Sequence, residues 1–251
     1  MPDLIREALA TPGLGWLMAA VFVAGLVRGF AGFGSAMIIM SVASSVLSPI
    51  AALTFLVLAE IPGPLPNLPA ALRDGRPRDA GRMLIGAALL LPVGLWFAST
   101  IDAETFSWMI SGVVSLLLGL SIWGWRFHGH LSRPLTVAVG GLGGFLGGIA
   151  GIPGPPVIMF YISSALPAMV IRANLLLYLL GIDLVFIPVL LALGEFQPAA
   201  AVLGLIAAVP NVIANMLGAK LFNPQSEARF RSIAYVVIAM SVVVGLPLWR
   251  G

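Results

Sequence analysis

Arg28 lies in the stretch from Gly25 to Ser35, where closely spaced glycines interrupt a long apolar run. Glycine lets the backbone turn and approach other groups closely, and a helix that restarts here presents unpaired amide N–H groups. Amides at a helix start and a guanidinium group both attract anions. The spacing therefore predicts an anion-binding turn with a positive charge beside it. Arg28 could instead reach toward a membrane interface or pair with an acid.

A second glycine-rich stretch, from Gly144 to Gly154, repeats the first. A shift of 119 positions (144 minus 25) aligns windows 25–47 and 144–166 without a gap, and nine of the 23 pairs are identical. A match of this length and density predicts an internal duplication. We therefore expect two similar turns, one in each half of the chain.

The two turns and one asparagine pair supply the candidate substrate-binding residues. Asn211 and Asn215 are one helical turn apart on one face, so they could hydrogen-bond a substrate or join helices. Glycine clusters also serve close helix packing, and that alternative stays open. The candidates are Arg28, Gly29, Gly32, Phe33, Gly34, Ser35, Gly148, Gly151, Ile152, Gly154, Asn211 and Asn215.

Two acids also lie in apolar surroundings. Asp183 falls near the middle of its apolar stretch, and Glu60 comes just before a proline cluster. Burial favours the protonated form of a carboxyl group, so each acid is a candidate carrier of a coupling proton. Each is also a candidate counter-ion for Arg28.

The composition decides the class of protein. Of the 251 residues, 60% are hydrophobic and 9% are charged, whereas a soluble domain carries about 25% charged residues. The apolar segments suit helices rather than the short alternating strands of a barrel. The arginines lie in short loops, so membrane topology explains the net charge of +3 better than nucleic-acid binding does. We predict an all-α integral membrane protein in a lipid bilayer.

The same composition argues against several chemistries. The chain has no cysteine, and its two histidines, His128 and His130, share one loop. No thiolate metal site, disulfide or intramembrane serine–histidine pair can therefore form, and we expect no cofactor and no metal. A membrane-embedded hydrolase is accordingly the weaker alternative.

The polar loops divide the chain into two halves, each with a glycine-rich segment followed by three spans. Repeat 1 covers residues 1–128, with a hairpin or broken helix at 14–47 and spans at about 50–65, 83–98 and 105–125; repeat 2 covers residues 129–251, with a hairpin at 135–166 and spans at about 173–193, 199–219 and 230–248.

Each glycine-rich segment could be one long broken span or a re-entrant hairpin. Basic residues accumulate on the cytoplasmic side of a membrane protein. Hairpins place ten arginines and lysines on that side against two outside, whereas single spans place eight against four. Hairpins are therefore favoured, and they invert the second half relative to the first. Both termini would then be extracytoplasmic, and the two tips would meet near the midplane, as in many secondary transporters.

At these residues the chain resembles the TauE/SafE family of sulfite and sulfonate exporters. The resemblance rests on Gly29-Phe-Ala-Gly-Phe-Gly34, on Gly148-Ile-Ala-Gly-Ile-Pro-Gly154 and on two hydrophobic halves joined by a short basic loop. It implies a bacterial inner-membrane exporter of a small sulfur oxyanion such as sulfite, sulfoacetate or a related organosulfonate.

The pattern agrees best with a secondary transporter that is not an enzyme, with a small anion and coupling protons as its partners. A passive anion channel stays open as an alternative, because both kinds of protein can select anions with helix ends. The oligomeric state is left open.

Overall fold

The computed structural model describes residues 2–31, 33–123, 132–162, 166–221 and 227–246, and these form α-helices without a strand among them. The candidate residue Gly32, the predicted repeat boundary at 128/129 and both histidines lie outside the described residues. The helices are α1 (Pro2–Leu9), α2 (Leu14–Ala31), α3 (Ser35–Val46), α4 (Pro49–Glu60), α5 (Leu68–Asp74), α6 (Pro77–Thr100), α7 (Ala103–Trp123), α8 (Arg133–Ala150), α9 (Gly154–Ile162), α10 (Ala168–Ala192), α11 (Pro198–Leu221) and α12 (Glu227–Gly245).

Four of the described helices are long and apolar enough to cross a membrane. They are α6, α7, α10 and α11, with apolar lengths of 24, 21, 24 and 23 residues. At about 1.5 Å per residue, each exceeds the roughly 30 Å of a hydrocarbon core. These helices coincide with four of the predicted spans, and they confirm the prediction of an all-α, multi-pass membrane protein.

The helices α4 and α5 form a bent apolar pair, which is either a broken span or a re-entrant loop. α4 ends at Glu60, earlier than the predicted end near residue 65, and the chain bends by 47° before α5 continues. The run Pro62-Gly-Pro-Leu-Pro66 explains the break, because proline has no N–H with which to continue a helix. A short 3₁₀ turn at Leu65–Asn67 joins the two pieces.

The helix boundaries repeat at the offset found in the sequence. α2 and α8 start 119 residues apart (133 minus 14) and end 119 apart (150 minus 31). Their following helices, α3 and α9, also start 119 apart (154 minus 35). The repeated glycines therefore occupy the same places in the same helices of each half.

Each glycine-rich helix packs against a helix from the other half. A methyl group at Gly25 would lie 2.6 Å from the Asn211 carbonyl of α11, and one at Gly29 would meet the α11 backbone at Asn215. In the same way, a methyl group at Gly144 would lie 2.5 Å from the backbone of Ala87 in α6. Only glycine allows such backbone contact, as is common between membrane helices.

The chain folds back after each glycine-rich helix. A methyl group on Gly13, just before α2, would lie 3.2 Å from the side chain of Val46, the last residue of α3. After α8, the Pro153 side chain lies 3.3 Å from the methyl position of Gly147. The first turn thus brings the end of α3 to the start of α2, and the second brings Pro153 against α8.

We expect Gly144→Ala to destabilise the protein by about 1–3 kcal/mol or more, because the new methyl group overlaps the α6 backbone. Gly112→Ala on α7 is the matched control, since a methyl group there meets nothing within 4 Å. That control should stabilise by up to about 1 kcal/mol through helix propensity. Unfolding of the purified protein in detergent measures both, and equal effects at the two sites would contradict this account of the packing.

Candidate functional site

Both glycine-rich turns line one small cavity, which we call the tip cavity. Its volume is about 40 Å³, enough for about three waters at roughly 10–15 Å³ each. The lining residues are Arg28, Phe33, Gly34, Ser35, Ala36, Met37, Glu60, Gly151, Ile152, Pro153, Gly154, Pro155, Ile158, Leu179 and Asp183.

The first turn directs a helix start at this cavity. Gly34 precedes α3 with a φ of +92°, a left-handed conformation that favours glycine. Ser35, Ala36 and Met37, the first turn of α3, line the cavity, and their N–H groups have no acceptor within the helix. This end of α3 is therefore its electropositive end.

The second turn differs in the donors that it offers. Gly151 caps α8 with a φ of +71°, and its N–H donates to the Gly147 carbonyl at 2.7 Å. α9 then starts with Gly154, followed by Pro155 and Pro156, which have no N–H. The α9 start supplies fewer amides than the α3 start, so the cavity has one donor-rich side and one rigid, apolar side.

Arg28 forms a buried ion pair at the cavity. Its Nη1 lies 3.2 Å from Oε2 of Glu60, and both side chains are 8% exposed. Nη1 makes no aligned hydrogen bond to a described residue, and neither does Oε1 of Glu60. The contact is therefore one of charge, and both groups keep hydrogen-bonding capacity for a further partner.

Asp183 adds a second carboxyl group to the same cavity. It comes from α10, is 7% exposed, and interacts electrostatically with Glu60 and Arg28. When all three groups are ionised, the cluster has a formal net charge of −1. Uncompensated charge is strongly unfavourable in a buried site, so one proton or one further cation would balance the cluster.

A larger space lies next to the tip cavity, and we call it the vestibule. Its volume is about 300 Å³, and several of its lining residues are exposed. Arg28 and Leu179 line both spaces, so the Arg28–Glu60 pair lies where they meet. The vestibule is lined by Arg28, Gly29, Gly63, Pro64, Asn67, Ala70, Ala71, Asp74, Met169, Arg172, Ala173, Leu176, Leu179, Asn215 and Ala219.

Four of the candidates lie away from the tip cavity. Gly29 and Asn215 line the vestibule, and Gly29 also packs against α11. Asn211 is fully buried, and its side chain has no hydrogen-bond partner among the described residues. Gly148 lies against the α6 backbone at Leu91, which is the packing role that the sequence left open.

The vestibule residues Gly63, Asn67, Asp74 and Arg172 were not among the candidates. They come from the α4–α5 break, from the end of α5 and from the start of α10. The proline cluster was the one available signal, since it marks a break in an apolar segment where polar groups collect.

Comparison with known proteins identifies the family. The family described as sulfite exporter TauE/SafE matches residues 17–245. The chain belongs to the TauE/SafE family. A relative from Cupriavidus necator, named "Probable sulfite/organosulfonate exporter TauE", is 29% identical over 232 residues, which cover 86% of this chain and 87% of the relative. No solved structure matches the chain significantly. TauE/SafE proteins are membrane transporters, so the chain is a transporter and not an enzyme.

The ion pair of this TauE/SafE protein allows a test of its energetics. Removing one partner of a buried pair destabilises a protein by about 3–5 kcal/mol, because the other charge stays buried. We expect Arg28→Met to lower the free energy of unfolding by this amount. The double variant Arg28→Met/Glu60→Gln should lose clearly less free energy of unfolding than the sum of the losses in the two single variants. A double-mutant cycle of unfolding measures the difference. Additive effects would mean that the two groups do not interact.

Proposed function

We propose that this chain is a secondary transporter that exports a small sulfur oxyanion, such as sulfite or an organosulfonate, across the bacterial inner membrane. The observation that carries this proposal is the tip cavity, where Arg28 and the electropositive start of α3 face one enclosed space. The name of the Cupriavidus necator relative supports the substrate class.

The direction of the last helix supports re-entrant hairpins. Ser107, near the start of α7, donates to the carbonyl of Gly245, at the end of α12, over 3.4 Å. Tyr235 donates to the carbonyl of Ser121, near the end of α7, over 3.4 Å. α7 and α12 are therefore antiparallel. Hairpins require this arrangement, whereas single broken spans would make the two helices parallel.

The helix starts support an inverted relation of the halves. α6 starts beside the start of α10, where Asn174 accepts a hydrogen bond of 2.5 Å from the Arg76 amide. α11 follows α10 and so starts at the opposite end. α8 runs in the same direction as α6, and α2 runs in the same direction as α11. The two hairpins therefore enter from opposite ends. Their tips then meet in the tip cavity, as in transporters built from inverted repeats.

The vestibule is expected to face the cytoplasm. It includes Arg172 and Asp74 and lies beside Arg76 and Lys220, which the hairpin topology places on the basic, cytoplasmic side. An exporter takes up its substrate from this side. The conformation described is accordingly the inward-facing one.

Labelling of single cysteines tests this topology, because the chain has no cysteine of its own. We expect Arg78→Cys and Lys220→Cys to react with a membrane-impermeant thiol reagent from the same side, and Asp102→Cys from the other side. All three positions are exposed. Reaction of positions 78 and 220 from opposite sides would favour single broken spans and reject the hairpins.

During transport, Arg28 would release Glu60 and bind the anion in its place. A guanidinium binds two oxygens of a sulfonate or sulfite group side by side, with stronger hydrogen bonds than those to neutral groups. Once Arg28 turns to the anion, Glu60 becomes an uncompensated buried carboxylate unless it takes up a proton. Protonation of Glu60 or Asp183 would therefore accompany anion binding.

The enclosed geometry supports a carrier more than an open channel. The tip cavity is too small for an organosulfonate in this conformation, and the buried Arg28–Glu60 pair lies where it meets the vestibule. Substrate would pass when the pair opens. Such an obstruction is typical of alternating access around a fixed site.

Tracer flux into proteoliposomes tests the function, with sulfite, sulfoacetate, sulfate and acetate compared. We expect saturable flux of sulfite or sulfoacetate, and an apparent affinity lower by about tenfold to a hundredfold in Arg28→Ala, since a hydrogen bond to a charged group contributes about 1.5–3 kcal/mol. Sulfoacetate affinity should rise as pH falls, because a proton balances the cluster. Arg78→Ala, an exposed arginine, is the control. Unchanged affinity in Arg28→Ala would reject the site.

A further inference from the structure

One face of α10 lines both spaces of the site. Arg172, Leu176, Leu179 and Asp183 follow one another at spacings of four, three and four residues, which places them on one side of the helix. The first three line the vestibule, and Leu179 and Asp183 line the tip cavity. At 1.5 Å per residue this face extends about 16 Å, so it forms a continuous wall from the vestibule to the charge cluster.

The middle of this wall is apolar. Leu176 and Leu179 are half-buried, and the vestibule that they line also contains Ala70 and Ala71 of α5 and Ala219 of α11. Ala70 and Ala219 are exposed, so solvent reaches this apolar surface. A ligand that covers the surface with apolar atoms of its own gains free energy, because both surfaces then leave water.

Hydrogen-bond donors lie at the inner end of the vestibule, where it meets the tip cavity. Arg28 lines both spaces there, and its neighbour Gly29 packs against the α11 backbone at Asn215. The side-chain amide of Asn215 also lines the vestibule, since its Nδ2 would be 3.5 Å from a methyl group on Gly63. A guanidinium and an amide side by side can both donate to an oxyanion.

The two spaces differ in the size of the ligand that they can hold. The vestibule has a volume of about 300 Å³, and the tip cavity has one of about 40 Å³. At roughly 10–15 Å³ for each water-sized group, an oxyanion with a chain of several carbons fits the vestibule but not the tip cavity. Sulfite would occupy only the inner end and would leave the two leucines in contact with water.

We propose that the vestibule binds the carbon chain of an alkanesulfonate, with the sulfonate group at Arg28 and Asn215 and the chain along Leu176 and Leu179. The preferred substrates are then organosulfonates with an apolar chain, rather than inorganic sulfite. This inference rests on the proposed function for the role of Arg28 in anion binding. The chain waits in the vestibule until the Arg28–Glu60 pair opens.

Calorimetric titration of the protein in lipid nanodiscs tests the subsite, with methane-, ethane-, propane- and butanesulfonate compared. We expect the affinity to rise about two- to fourfold with each added methylene group, as burial of apolar surface predicts. The heat-capacity change of binding should become more negative along the series. Titration of empty nanodiscs corrects for partition of the ligands into lipid.

Two variants alter the proposed chain subsite. Leu176→Asn replaces an apolar group of the wall by an amide, so the gain per methylene group should largely disappear. Ala70→Phe fills part of the vestibule from an exposed position on α5, so the gain should end at a shorter chain. Leu191→Ala is the matched control, because Leu191 is 58% exposed on the same helix as Leu176 and lines neither space.

An affinity that does not depend on chain length in the wild type would overturn the chain subsite. A gain that persists unchanged in both Leu176→Asn and Ala70→Phe would also overturn it, because the chain would then bind elsewhere. Methanesulfonate and sulfite report on the anion position alone, and loss of their binding in Arg28→Ala would leave the proposed function intact in either case. If neither of these two anions binds to the wild type, the proposed function and the chain subsite fail together.

Discussion

Backbone contact at the repeated glycines is the constraint on which the architecture depends. α2 lies against α11, and α8 lies against α6, at distances that no other residue permits. In a lipid environment the hydrophobic effect does not drive helices together, so close packing must supply the association energy. The two glycine-rich turns can meet in one cavity because these contacts hold their first arms in place.

The charges at that cavity follow from the same arrangement. Arg28 is carried by the glycine-packed α2, Glu60 by the end of the broken α4, and Asp183 by the continuous α10. Burial makes each charge unfavourable alone, and the cluster of one cation and two acids is one positive charge short of neutrality. In the proposed mechanism, an anion that displaces Glu60 from Arg28 would bring protonation of an acid with it, and this would join substrate recognition to proton uptake.

Much of this arrangement was open to prediction from sequence. The membrane class, the four long spans and the family follow from composition and the duplicated motif, and Arg28, Glu60 and Asp183 stood out as charges in apolar stretches. The packing of Gly29 and Gly148 was not decided, because a glycine that turns a chain and one that packs a helix look alike in sequence. The vestibule was missed because it forms between helices distant in the chain, largely from small residues without a periodic pattern.

The reciprocal pairing of α2 with α11 and of α8 with α6 also bears on whether either half can stand alone. Neither half contains the partner of its own glycine-rich helix, so one half alone would expose a groove of bare backbone to lipid. Separate expression of residues 1–128 and 129–251 would therefore leave each piece with an uncovered strip of glycine backbone, and each piece would need the other in order to bury it.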